Sequence, residues 1–225
     1  MGIITIEKID RLWWLGRYVE RAFTSIRCFM AISDQMIDVD ENCYKELCQK
    51  LGIPDCYEGG SDFRYRYPLD ENNPDSILSS IVRAMDNAMI LRETIGSETL
   101  GYLQLTLDKL RADALSEREA EFLHLQNCLD LILAFWGSVE DNVDDERIRN
   151  VIRAGKRLER LDLMLRMGDV GKETILIALN RLKTRLDRSP VSYNLDNFET
   201  LEDIVQRVPL DRNNALALTG KILEG

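Results

Sequence analysis

Gly16-Arg17-Tyr18-Val19-Glu20-Arg21 returns 139 residues later as Gly155-Lys156-Arg157-Leu158-Glu159-Arg160, and the same offset carries Ile26-Arg27 onto Leu165-Arg166. The shared pattern is glycine, base, any residue, aliphatic, glutamate, arginine, then an aliphatic-arginine pair one and a half turns on. A charged motif repeated this way implies two copies of one helical unit. With only 5 prolines and 13 glycines in 225 residues, long uninterrupted helices are permitted. The expected fold is all-α: a duplicated antiparallel helical bundle in one domain, its halves (about 1–115 and 116–225) related by a pseudo-two-fold.

Hydrophobic periodicity extends this reading along the chain. A first helix is expected from Ile6 to about Val39, with Leu12, Leu15, Val19, Ala22, Phe23, Ile26 and Met30 on its apolar stripe. A short helix over Glu41–Leu51 ends at Gly52. From Pro54 to Pro74 the pattern reads as a loop whose aromatic-basic centre, Phe63-Arg64-Tyr65-Arg66-Tyr67, packs against the bundle. Asp75 or Ser76 caps a helix to about Ile95 with Ile77, Ile81, Met85, Ala88 and Met89 inward, and Ser97 opens the next, to about Ala114. Ser116 and Glu119 form an S-x-x-E capping box before a helix through Leu123, Leu125, Leu129, Leu133 and Trp136. The acidic run Glu140–Glu146 starts or interrupts the helix of the second motif, which ends near Met167 at Gly168. Further helices are expected over Thr174–Asp187, Asn197–Arg207 and Arg212–Leu223.

On a helix of 3.6 residues per turn, Gly16, Glu20 and Arg27 project within about 40° of one another, with Trp13 beside them. Gly155, Glu159 and Arg166 repeat the construction. Each cluster sits at the edge of an apolar stripe, and each glycine leaves room for a close backbone or ligand approach. Two readings follow. Reciprocal ion pairs between the halves would satisfy Glu20 and Glu159, since isolated buried charge is costly. Alternatively, Arg17, Glu20, Arg21, Arg27, Lys156, Glu159, Arg160 and Arg166 line a groove for a peptide or carboxylate, bound through the planar guanidinium fork. Arg83 and Asn87, at i and i+4, are placed to meet the first motif.

Other chemistries find little support. A net charge of −10 argues against nucleic acid as a partner. The five cysteines make no C-x-x-C pair and read as reduced cytoplasmic thiols, without a zinc knuckle. One histidine, His124, cannot supply the two Glu-x-x-His pairs of a di-iron bundle, and it reads as a core or surface imidazole. No P-loop, dinucleotide fingerprint or nucleophile elbow occurs, so neither metal nor cofactor is expected. No apolar run nears the ~18 residues of a membrane span, and no secretory leader is evident.

Through Trp13-Trp14-Leu15-Gly16-Arg17-Tyr18-Val19-Glu20-Arg21-Ala22, the second copy at Gly155–Arg160 with Leu161-Asp162, and the Ser79–Glu98 segment, the chain resembles the bacterial alpha-E family. That is an all-helical group named for its Glu-Arg motif. The likeness covers most of residues 6–167 and is loose after Gly168. Lys156 departs from the usual arginine, and the chain is shorter than typical relatives; either departure could leave the function in one half, with the other as scaffolding.

The resemblance implies a neighbourhood of ATP-grasp ligases, transglutaminase-like proteins and an NTN-type peptidase in a peptide synthesis or modification system. It carries over Glu20-Arg21 and Glu159-Arg160, without catalytic roles. The leading expectation is a non-catalytic subunit that binds a ligase, a transglutaminase-like protein or a peptide. Its alternatives are an enzyme of amide chemistry with Glu20 or Glu159 as general base, and a helical assembly module that forms homo-oligomers.

Overall fold

The structure is a computed structural model, and it describes residues 4–116, 120–207 and 209–223. Among the described residues it contains helices and no strand: α1 (Ile6–Asp38), a 3-10 turn (Glu41–Cys43), α2 (Tyr44–Leu51), α3 (Gly60–Leu69), α4 (Ile77–Ile90), α5 (Arg92–Ile95), α6 (Ser97–Leu115), α7 (Phe122–Asn142), α8 (Glu146–Met167), α9 (Lys172–Asp187), α10 (Leu195–Gln206) and α11 (Arg212–Thr219). The fold is all-α, as the periodicity implies. The chain forms two compact units: Met1–Arg17 with Asp145–Gly225, and the continuous stretch Tyr18–Asp144.

Punctuation explains most helix ends. Gly52, Gly96 and Gly168 take positive φ, a region that costs other residues a steric clash at Cβ, and each stops a helix or turns the chain into the next. The Ser76 Oγ accepts from Ser79 N at 2.9 Å and starts α4. Asp145, from the acidic run, caps α8 by accepting from Arg147 N at 2.9 Å, and the Arg147 side chain holds its carboxyl below the usual range.

Within Tyr18–Asp144, α6 packs on α4 and α7, and α3 on α4 and α6. The 54–74 stretch is where the sequence reading fails. Residues 60–69 are helical despite Pro68, because Phe63 and Tyr67, one turn apart, stack at 5.0 Å and join Tyr44, Tyr57 and Phe29 in one aromatic cluster. Tertiary ring contacts, absent from local periodicity, select the helix; the expected packing of this aromatic centre stands.

Other inward assignments also change. Met89 is 53% exposed, while Phe23 and Met30 are only half buried and Phe29 takes the core position. Ser116 bonds back to Asp113 O at 2.7 Å and closes α6; Glu119 of the expected capping box lies outside the described residues, and α7 starts at Phe122. Among the described helices α7 has the length and composition to cross a membrane. Asp130 interrupts it, though, and Leu125, Ile132, Phe135 and Val139 are buried as in a core helix.

In the other unit α8 packs on α9 and α11, α9 on α10, and α10 on α11. No residue of α8 from Arg147 onward is fully exposed, although the helix carries seven basic side chains. Asn150, wholly buried, accepts from Arg185 Nη1 at 3.1 Å and donates to Glu146 O at 2.9 Å, fixing α9 against α8.

Candidate functional site

The two motif glycines meet backbone. A Cβ added at Gly16 would run into the carbonyl oxygen of Ile152 and lie 3.0 Å from Lys156 N. A Cβ at Gly155 would run into the carbonyl oxygen of Trp13 and lie 3.4 Å from Arg17 N. The contact is reciprocal in the repeat's own register, since Trp13 stands to Ile152 as Gly16 stands to Gly155. The glycines are therefore used by helix against helix, and not by a ligand.

One step along, Arg17 Nε donates to Glu159 Oε2 at 2.7 Å, and the guanidinium lies 4.7 Å over the Trp14 ring. Glu159 is 1% exposed, so its charge is held by a short charge-assisted bond in a dry setting. This is the ion pair that one sequence reading requires of Glu159.

In Tyr18–Asp144, Glu20 is 0% exposed. Its neighbour Arg21, half-buried, lies 5.6 Å from the Tyr18 ring. Arg83 from α4 approaches the same ring at 5.7 Å, steadied by a 3.0 Å bond from its Nη1 to Pro74 O. Arg83 thus does meet the first motif, at Tyr18. Asn87 supports it only through the backbone, donating to Arg83 O at 2.9 Å.

The remaining candidates disperse. Arg27 is exposed over Phe23 at 6.0 Å, away from buried Glu20 despite their helical phase, because the side chain covers its own preceding turn. Arg166 pairs with Asp162 at 2.6 Å. Lys156 and Arg160 are part-buried on α8. Among the described residues no three His, Cys, Asp or Glu side chains gather to hold a metal ion.

Sequence reasoning missed the surroundings of His124. Its Nδ1 lies 2.7 Å from Asp113 Oδ1, and its Nε2 lies 3.9 Å from Glu121 Oε2. Glu121 stands three residues before His124, an E-x-x-H spacing that was the available signal.

A family model described as "a predicted alpha-helical domain with a conserved ER motif" matches residues 8–201. The chain belongs to the Alpha-E family. Both copies of its Glu-Arg pair, Glu20-Arg21 and Glu159-Arg160, fall inside the match. No curated protein and no solved structure matches the chain.

Proposed function

We propose that this Alpha-E chain is a non-catalytic binding subunit of a bacterial, cytoplasmic peptide synthesis or modification system. Its partner would be an ATP-grasp-type ligase or a transglutaminase-like protein, and its small ligand a peptide carboxylate. One observation carries the reading: both motif glutamates are buried, whereas Arg21 stays part-exposed and shares the Tyr18 ring with Arg83. A carboxylate sealed inside the protein is poorly placed to act as general base on an outside substrate, which weakens the enzyme alternative. Two guanidiniums against one aromatic ring suit recognition of a planar anion. The reciprocal glycine contact supports a local two-fold between the first part of α1 and α8, with the repeat serving packing.

The test has two arms. A labelled peptide with a free C-terminal carboxylate should bind wild type at least about tenfold better than its C-terminal amide, and Arg21→Gln with Arg83→Gln should abolish that preference. Co-purification with the neighbouring ligase tests the partner. Equal binding of acid and amide, with no ligase retained, would overturn the proposal.

A further inference from the structure

We infer that the outer face of the α6–α7 hairpin is a docking surface for a basic amphipathic helix of a partner protein. Neither Glu-Arg pair takes part. Two side-chain hydrogen bonds set these helices antiparallel in a fixed register, Thr99 with Ser138 at 2.8 Å and His124 with Asp113 at 2.7 Å. In that register Leu105 lies level with Leu133, and Leu115 with Leu123, and the four are 54% to 86% exposed. Four large aliphatic side chains on one two-helix face exceed the scattered single exposures of an ordinary surface.

Gly101 and Gly137 share a level too, one turn from Leu105 and Leu133, and nothing lies within 4 Å of a Cβ built on either. Glycine inside a helix is destabilising relative to alanine, and no neighbouring atom requires these two. At Gly16 and Gly155 the same residue admits a neighbouring helix; here the room opens outward.

Charge selects the occupant. Asp108 and Asp130 lie on the level between the two leucine pairs, and Glu98 and Glu140 at the outer end. Each aspartate accepts from a glutamine one turn before it, Asp108 from Gln104 at 2.7 Å and Asp130 from Gln126 at 3.0 Å. α7 carries no lysine or arginine. On α6, Arg111 is engaged by Glu71 at 2.8 Å, and Lys109 is half-buried. The face is therefore acidic as well as apolar, and it suits a cationic partner. A second copy fits badly on a two-fold. Stacked in the same direction, the aspartate levels would meet each other; stacked in opposite directions, each leucine level would meet a carboxylate level.

Counted along α6, the glutamate, leucine, aspartate and leucine levels lie seven, three and seven residues apart, about 25 Å in all. A helix laid along them presents base, aliphatic, base and aliphatic at those intervals, with small residues opposite the glycines.

The probe is a fluorescein-labelled, alanine-based peptide of about 20 residues with lysine and leucine at that spacing, read by anisotropy against the full chain. It should bind at least about tenfold more tightly than a scramble of equal charge. Leu105→Asp with Leu133→Asp, both at the surface, should remove that preference. Gly101→Gln with Gly137→Gln should raise Tm and still weaken binding about tenfold, because the new side chains meet open space until a helix arrives. Asp108→Lys with Asp130→Lys should reject this peptide and take one bearing glutamate for lysine, an exchange that a damaged fold cannot produce. Equal binding of peptide and scramble, or a dimer in sedimentation equilibrium that the leucine variant dissolves, would overturn the partner helix.

Discussion

Alanine at Gly16 places a methyl group where the Ile152 carbonyl already lies, and the next atoms, Ile152 C and Lys156 N, stand at 3.0 Å. Ordinary Cβ contacts lie at 3.4–4 Å, and every atom in the way here is backbone. No side chain can swing aside, so the first part of α1 must move off α8 by something on the order of 1 Å. Overpacking of this kind costs up to about 3 kcal/mol, while replacing a mid-helix glycine returns about 0.5–1 kcal/mol. The net loss is about 2 kcal/mol, or about 4–8 °C in Tm for a chain of this size. Gly155→Ala should behave alike. The double variant should lose less than the two singles together, because one separation accommodates both methyls. Gly137→Ala is the control: nothing lies within 4 Å of its would-be Cβ, so it should gain about 0.5–1 kcal/mol. Thermal melts of the four variants decide it. A Gly16→Ala Tm at or above wild type would refute the close helix contact.

Glu159→Ala should cost about 3 kcal/mol in urea denaturation by stranding Arg17, and adding Arg17→Met should recover most of it. Ser76→Ala should cost about 1 kcal/mol, read the same way, through loss of the α4 cap. Burial pushes the Cys48 thiol up to about 11 and that of Cys128 up to about 12. At pH 8 their thiolate fractions are about 10⁻³ and 10⁻⁴, so iodoacetamide should label exposed Cys56 first and leave these two intact until unfolding. Both pKa values are raised in the folded state, so the protection is full below the unfolded thiol value near 9 and is lost as pH climbs through 11 to 12. Buried Tyr57 and Tyr67, also raised by desolvation, add in the same direction. Tm should therefore fall across that alkaline window, and a flat profile would contradict it.

How legible the molecule was depends on the range of the forces involved. α1 and α8 could be read because caps and amphipathic spacing are local, as at Asp145 and Gly168. α3 could not, since its stability rests on Tyr44 and Phe29, far along the chain. At the site, the repeat exposed Gly16, Gly155 and the Arg17–Glu159 pair, because a duplicated glycine beside a charge signals helix contact. Helical phase misplaced Arg27, since a long side chain ends well away from its Cα. The Asp113–His124 pair joins residues on successive helices, and no single-helix pattern encodes it.

One unit is assembled from the two ends of the chain, with the 127 residues of Tyr18–Asp144 between them. During synthesis, Leu12, Trp13 and Leu15 leave the ribosome long before α8, which meets α1 at Trp13 and Gly16, exists. At about 5–20 residues per second the wait is about 6–25 s. For that interval a short apolar stripe is exposed to solvent and to other chains. Truncations within α8 should therefore yield nascent products that aggregate or recruit chaperones, while Tyr18–Asp144, continuous in sequence, can fold as it emerges.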